Sequence, residues 1–99
     1  MAKTITHIIT RITALPGQED KLKALLLELI EPTRQEAGCI RYNLLQSCVT
    51  PTEFTLLEEW ESKELFETHL DSAHVQEAFL EGGQLLVAPP EIRHYHFLA

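Results

Sequence analysis

The chain has 99 residues, of which 44% are apolar and 23% charged, with a formal net charge of −7. That length holds one core, so residues 1–99 read as one small domain whose stability would gain from a second copy. An acidic chain without a basic stripe is repelled by phosphate backbones and has nothing to hold it on an anionic membrane, which excludes nucleic acid and membrane surfaces as expected partners.

Residues 1–7 lack the charged start, apolar run and small-residue cleavage site of a secretory leader, and no apolar stretch is long enough to span a bilayer; a cytoplasmic location is expected. Residues 5–14 alternate, with Thr6, Ile8, Thr10, Ile12 and Ala14 on one side and Ile5, His7, Ile9, Arg11 and Thr13 on the other. This pattern is rich in β-branched residues and stops at Pro16-Gly17, as a strand followed by a turn does.

From Gln18 the period becomes helical. Leu22, Leu25, Leu26, Leu29 and Ile30 mark one face, and Glu19 and Asp20 suit the positive N-terminal end. Pro32 removes a backbone donor and should kink or loosen the last turns, and Gly38 is a natural stop. Residues 39–48 and 53–61 are predicted as two strands of a hairpin joined through Val49-Thr50-Pro51-Thr52. Cys39 and Cys48 would lie roughly 30 Å apart along the first of these and point to opposite faces, which excludes a disulfide.

Ser62 is a predicted helix cap, with Leu65, Phe66, His69 and Leu70 sharing the following helical face. Asp71 or Ser72 should break and re-cap the chain, and Val75, Ala78 and Phe79 continue it to Gly82-Gly83. Residues 91–98 alternate as a last strand. The order βαββαβ is the ferredoxin-like arrangement of the α+β class, an antiparallel sheet with its helices on one face. The other face, with Ile5 and Ile9, would be left bare and so calls for a partner, most simply a second copy.

Phosphate-binding, dinucleotide-binding, zinc-protease and serine-hydrolase motifs are all absent. His94 and His96 alternate on one strand but do not define a metal site by themselves, so no metal ligand set is expected. His69 shares the apolar face of its helix and is expected to be partly buried. It reads either as a satisfied core histidine or as a proton-transfer group titrating near neutrality. Glu58 alternates with Leu56 and Trp60, and a carboxylate on a buried strand face needs a partner. Trp60 and Tyr42 read either as core or as walls for an aromatic ligand.

Three segments carry a resemblance: Glu36-Ala37-Gly38-Cys39-Ile40-Arg41-Tyr42, Glu58-Glu59-Trp60-Glu61-Ser62-Lys63, and His69-Leu70-Asp71-Ser72-Ala73-His74. In that order and spacing, with Ala14-Leu15-Pro16-Gly17 ahead of them, they resemble the antibiotic biosynthesis monooxygenase (ABM) domain over nearly the whole chain. The resemblance implies a homodimer of ferredoxin-like subunits, a dimeric α+β barrel, with a pocket between sheet and helices in each subunit. Some members of the family oxidise phenols or hydroquinones with O₂ and no metal or flavin. Others degrade haem, and a related member isomerises a phosphorylated sugar. Where members resembling the haem-degrading branch carry an asparagine, a tryptophan and a histidine, this chain aligns Thr10, His69 and Phe79, which argues against haem and its need for an axial ligand.

The resulting expectation is a monooxygenase without cofactor, acting on a small aromatic or quinol substrate. His69 would be the base and Glu58 its orienting or charge-balancing partner. Trp60, Tyr42, Phe79 and Thr10 would contact the substrate, and Asn43 would face the dimer interface. An isomerase using the same two residues, or a small-molecule-binding dimer without catalysis, are the alternatives.

Overall fold

The structure, a computed structural model, describes residues 4–99; Met1, Ala2 and Lys3, part of the N-terminal stretch discussed above, lie outside the described residues. Strand β1 (Thr6–Thr13) leads into helices α1 (Glu19–Glu28) and α2 (Ile30–Arg34). The hairpin β2 (Cys39–Gln46) and β3 (Glu53–Trp60) follows, then α3 (Lys63–Leu70), α4 (Ala73–Gly82), a 3-10 turn (Gly83–Leu85) and β4 (Glu91–Tyr95). The four strands form one sheet in the order β2-β3-β1-β4, with every neighbouring pair antiparallel. This is the ferredoxin-like α+β fold expected from the order of elements.

The alternation read in β1 and β3 sets the two faces of the sheet. Ile8, Ile12, Phe54, Leu56 and Trp60 are buried beneath the helices, against Leu22, Leu26, Leu29, Phe66 and Val75. Burying each large apolar side chain of this kind stabilises the fold by about 1.5–3 kcal/mol.

Three boundaries and one strand pairing differ from the sequence reading. The first helix does not run through to Gly38 but divides at Leu29. Pro32 explains the position of the break, because its missing N–H would have bonded the carbonyl of Glu28, the last residue of α1. Strand β2 ends at Gln46 and β4 at Tyr95, so both are shorter than expected. Cys48 lies beyond β2 and is exposed, while Cys39 is half-buried; both thiols are free.

The fourth difference is a bulge. Cys39 pairs with Trp60 and Arg41 with Glu59, so Ile40 is the extra residue. The bulge lets Cys39 pack on the core while Arg41 points to the opposite face, where strict alternation would have put both on one side.

Two contacts tie the α2–β2 segment to the site. Arg34 donates from Nε and Nη2 to the carbonyl of Tyr42, at 3.2 and 2.9 Å. Gly38 adopts φ +85°, and a Cβ there would stand 2.4 Å from Leu65 Cδ1. Glycine is required both for the left-handed backbone and for the close approach of this turn to α3. Ser62 caps α3 as expected, accepting from the Leu65 amide at 3.2 Å. Ser72 starts α4 without a side-chain cap; its hydroxyl instead donates to the carbonyl of His69 at 2.6 Å.

Candidate active site

Register brings the polar members of the inner sheet face together. Glu58 on β3 sits opposite Ile8 of β1 and Tyr42 of β2, and Thr10 is one inward-facing position along. Glu58 is only 4% exposed. Its two oxygens are satisfied by side chains of this layer: Thr10 Oγ1 donates to Oε2 at 3.0 Å and Trp60 Nε1 to Oε1 at 3.0 Å. Burial pushes its carboxyl up to about 7, despite the opposing pull of those two hydrogen bonds, and the Glu36 charge adds to the rise.

His69 descends on this layer from the last turn of α3. It is 3% exposed, with its ring 4.7 Å from that of Trp60 and 5.5 Å, edge to face, from that of Tyr42. Its Nε2 is 3.9 Å from Glu58 Oε1, too long for a direct hydrogen bond. Its Nδ1 is 2.6 Å from Oε2 of Glu36. The carboxylate hydrogen-bonded to His69 is therefore Glu36 rather than Glu58. The same Glu36 oxygen is 2.8 Å from Nε2 of His74 on the first turn of α4.

Burial lowers the His69 pKa, and the Glu36 hydrogen bond and charge work against that fall. A carboxyl raised to about 7 and an imidazole held down thus face each other with converging affinities for a proton. Burial also pushes the Tyr42 phenol and the Cys39 thiol up, so neither is poised as a nucleophile or base.

The gap between His69 and Glu58 opens on a cavity of about 70 Å³ between sheet and helices. Thr10, Tyr42, Glu58, His69 and Phe79 line it together with leucines of α1, and the half-exposed Phe79 stands at its margin. No lysine or arginine is among the lining residues described. Trp60 is not part of the wall. It is fully buried behind the two titratable groups, where it supplies a hydrogen bond to one and a ring face to the other.

The terminal histidines separate. His94 pairs with Ile8 on the helix-facing side and its ring lies 5.6 Å from Phe66, whereas His96 falls after the strand and borders a hollow with His7, Tyr95 and Phe97. The described residues that could hold a metal are Glu36, His69 and His74, whose donor atoms lie within 4.8 Å of one another.

Glu36 is the candidate site residue that sequence reasoning did not assign. It opens the first of the three family segments, but nothing in its local spacing points to His69, 33 positions away.

The fold and site define an α+β protein with a carboxylate-backed histidine beside an apolar cavity. The family model for antibiotic biosynthesis monooxygenase matches residues 5–80, and the chain belongs to the ABM family. Among curated relatives it is 34% identical over 82 residues to the Mycobacterium tuberculosis protein named "Putative monooxygenase Rv0793", a match covering 83% of this chain and 80% of that one. An uncharacterized Synechocystis protein is 29% identical over 84 residues, 85% of this chain; the match spans only 57% of that longer relative. Among solved structures, PA3566 from Pseudomonas aeruginosa superimposes with a TM-score of 0.93 at 30% identity, covering 100% of this chain and 99% of that one.

Among the described residues, no helix is long and apolar enough to cross a membrane.

Proposed function

We propose that this chain is a cofactor-independent monooxygenase that oxidises a small aromatic or quinol substrate with O₂. The observation that carries the reading is the arrangement around one imidazole. Nδ1 of His69 is held by Glu36 at 2.6 Å, while Nε2 is 3.9 Å from Glu58 Oε1, and His69 and Glu58 both line the cavity. A carboxylate that fixes one ring nitrogen as a donor leaves the other free to accept a proton.

His69 removes a hydroxyl proton from a hydroquinone in the cavity. The quinolate is the reductant: it gives an electron to O₂, and the two radicals combine as a peroxide bonded to a ring carbon. Loss of water cleaves the O–O bond and leaves a carbonyl on that carbon. One oxygen atom enters the product and the other leaves as water, with both hydrogens coming from the substrate. Glu58, with its pKa near 7, returns a proton to the departing oxygen. The apolar lining keeps the fixed dipoles strong.

A cavity of about 70 Å³ holds a few waters, whereas about 150 Å³ accommodates a benzene ring, so Phe79 at the margin must turn aside to admit the substrate. The absence of cations among the described lining residues weighs against a phosphorylated substrate, and so against the isomerase reading. The small volume is the one observation that favours a binding module without catalysis.

The reading includes a homodimer. Ile9, Leu57 and Leu45 lie on the sheet face away from the helices, beside Asn43 and the His7–Glu59 pair at 3.9 Å, and a second sheet packed there would cover them. It also includes a cytoplasmic location, in keeping with two free thiols.

Oxygen consumption over a panel of hydroquinones, with His69→Ala alongside, is the test. Uptake with at least one quinol that falls by about 10²–10⁴-fold in the variant supports the reading. Unchanged uptake in His69→Ala overturns the assignment of the base, and no uptake with any quinol favours the binding module.

A further inference from the structure

On the side of His69 away from the cavity, three side chains from three separate segments converge. Glu36 comes from the turn before β2, His69 from the last turn of α3 and His74 from the first turn of α4. Glu36 Oε2 is 2.6 Å from His69 Nδ1 and 2.8 Å from His74 Nε2, and all three donor atoms lie within 4.8 Å of one another. A cation about 2.0–2.2 Å from each of three donors needs them spaced by about 3–3.4 Å, so seating one would move Glu36 Oε2 slightly away from both nitrogens, with all three atoms already within 4.8 Å of one another.

The cluster is partly buried rather than spread over an open surface, with side-chain exposures of 15% for Glu36, 3% for His69 and 26% for His74. His69 is fixed between Trp60, Tyr42 and Phe66, and the Ser72 hydroxyl bonded to its carbonyl locks the junction that sets the spacing of the two histidines. The other nitrogen of His69 lies 3.9 Å from Glu58 Oε1, beyond direct hydrogen-bond reach, so a proton moved to Nε2 would stand next to that carboxyl group. The side chain of His74 is 26% exposed, which gives an ion a route in without opening the core.

We propose that Glu36, His69 and His74 bind one divalent first-row transition-metal ion, with its remaining coordination positions open to water. Two imidazoles and one carboxylate suit zinc, iron(II) or cobalt(II); magnesium and calcium prefer all-oxygen shells. The ion replaces the proton on His69 Nδ1, which then resides on Nε2. A loaded site therefore withdraws the base used in the proposed oxidation, and metal-free and metal-loaded chains are two functional states.

Binding is read without any substrate, so its outcome is separable from that of the oxidation reading. Chelator-stripped protein is titrated with Zn²⁺ by calorimetry and with Co²⁺ by visible absorption, with Mg²⁺ as the comparison ion. The expected result is one Zn²⁺ per chain with micromolar or tighter affinity, a Co²⁺ ligand-field band of a low-coordinate nitrogen–oxygen site, and no saturable Mg²⁺ binding. Glu36→Gln and His74→Ala, each shown to be folded by circular dichroism, should weaken Zn²⁺ binding by at least about 10–100-fold. The double variant His94→Ala/His96→Ala should bind as the parent does.

The proposal is overturned if the parent protein shows no one-to-one Zn²⁺ binding or only the spectrum of hydrated Co²⁺. It is equally overturned if both Glu36→Gln and His74→Ala bind undiminished, or if the His94/His96 variant loses the site.

Discussion

His69 Nδ1 lies 2.6 Å from Glu36 Oε2, although the two residues are 33 positions apart in the chain. This bond fixes the ring and sets its tautomer. We expect Glu36→Gln to lower kcat by roughly 10–10²-fold with little change in KM, since an amide can present its N–H to Nδ1 and favour the wrong tautomer. Steady-state oxygen uptake with the best hydroquinone measures it. A larger effect on KM than on kcat would make Glu36 a substrate contact instead.

Glu58 links the site to stability. Its pKa rises from the ordinary 4.5 to about 7 on folding, so between those values the folded chain binds more protons than the unfolded one. Stability then falls as pH rises from about 4.5 to about 7, by an amount on the order of 3 kcal/mol, and the penalty stays constant above that. His69, with its pKa lowered on folding, contributes the opposite slope below its ordinary 6.5. The difference between the parent and Glu58→Gln isolates the carboxyl. Urea midpoints from pH 4 to pH 8 should show the variant gaining on the parent as pH rises through this window; a constant difference would mean that Glu58 does not titrate there.

Gly38 and Gly17 both have φ +85°, but only Gly38 is crowded. Gly17→Ala should cost about 1–2 kcal/mol, the strain of a left-handed alanine. Gly38→Ala adds a collision with Leu65 and should cost on the order of 2–4 kcal/mol. It should also loosen the Glu36–His69 contact, so activity falls further than for Gly17→Ala. Equilibrium denaturation of the two variants side by side gives the packing contribution by difference.

Phe79 is 41% exposed at the edge of the cavity. Phe79→Ala should therefore cost little stability, about 1 kcal/mol, while enlarging the entrance. Two-ring hydroquinones should gain several-fold in kcat/KM over single-ring ones, as read from the ratio across the substrate panel. An unchanged ratio would place the entrance elsewhere.

Leu57 sits opposite Ile9 and Asn43 on the open face of the sheet. Leu57→Asp puts a charge at the centre of the proposed dimer contact and should shift the sedimentation coefficient from dimer to monomer. A parent protein that sediments as a monomer refutes the dimer directly.

Much of this architecture is legible in the residues. Alternation in β1 and β3 assigns Thr10, Glu58 and Trp60 to the helix-facing side, and the spacing from Leu65 and Phe66 assigns His69 to the buried face of α3, as found. A period of two or 3.6 fixes a side chain's direction relative to its own element, and hydrophobic burial turns that direction into a position inside or outside. The family motifs follow from the same local text.

Which buried groups meet was decided only in three dimensions. The sequence by itself suggests Glu58 as the carboxylate partner of His69. The left-handed turn at Gly38, pressed onto Leu65 one helical turn before His69, delivers Glu36 to Nδ1 and leaves Glu58 across the cavity gap. The bulge at Ile40 and the break ahead of Pro32 shape that approach, and Trp60 ends up behind the site rather than on its wall. Periodicity carries no information about partners separated by tens of residues. Those contacts arise from how helices settle on a twisted sheet, where a shift of one or two ångströms makes or breaks a hydrogen bond.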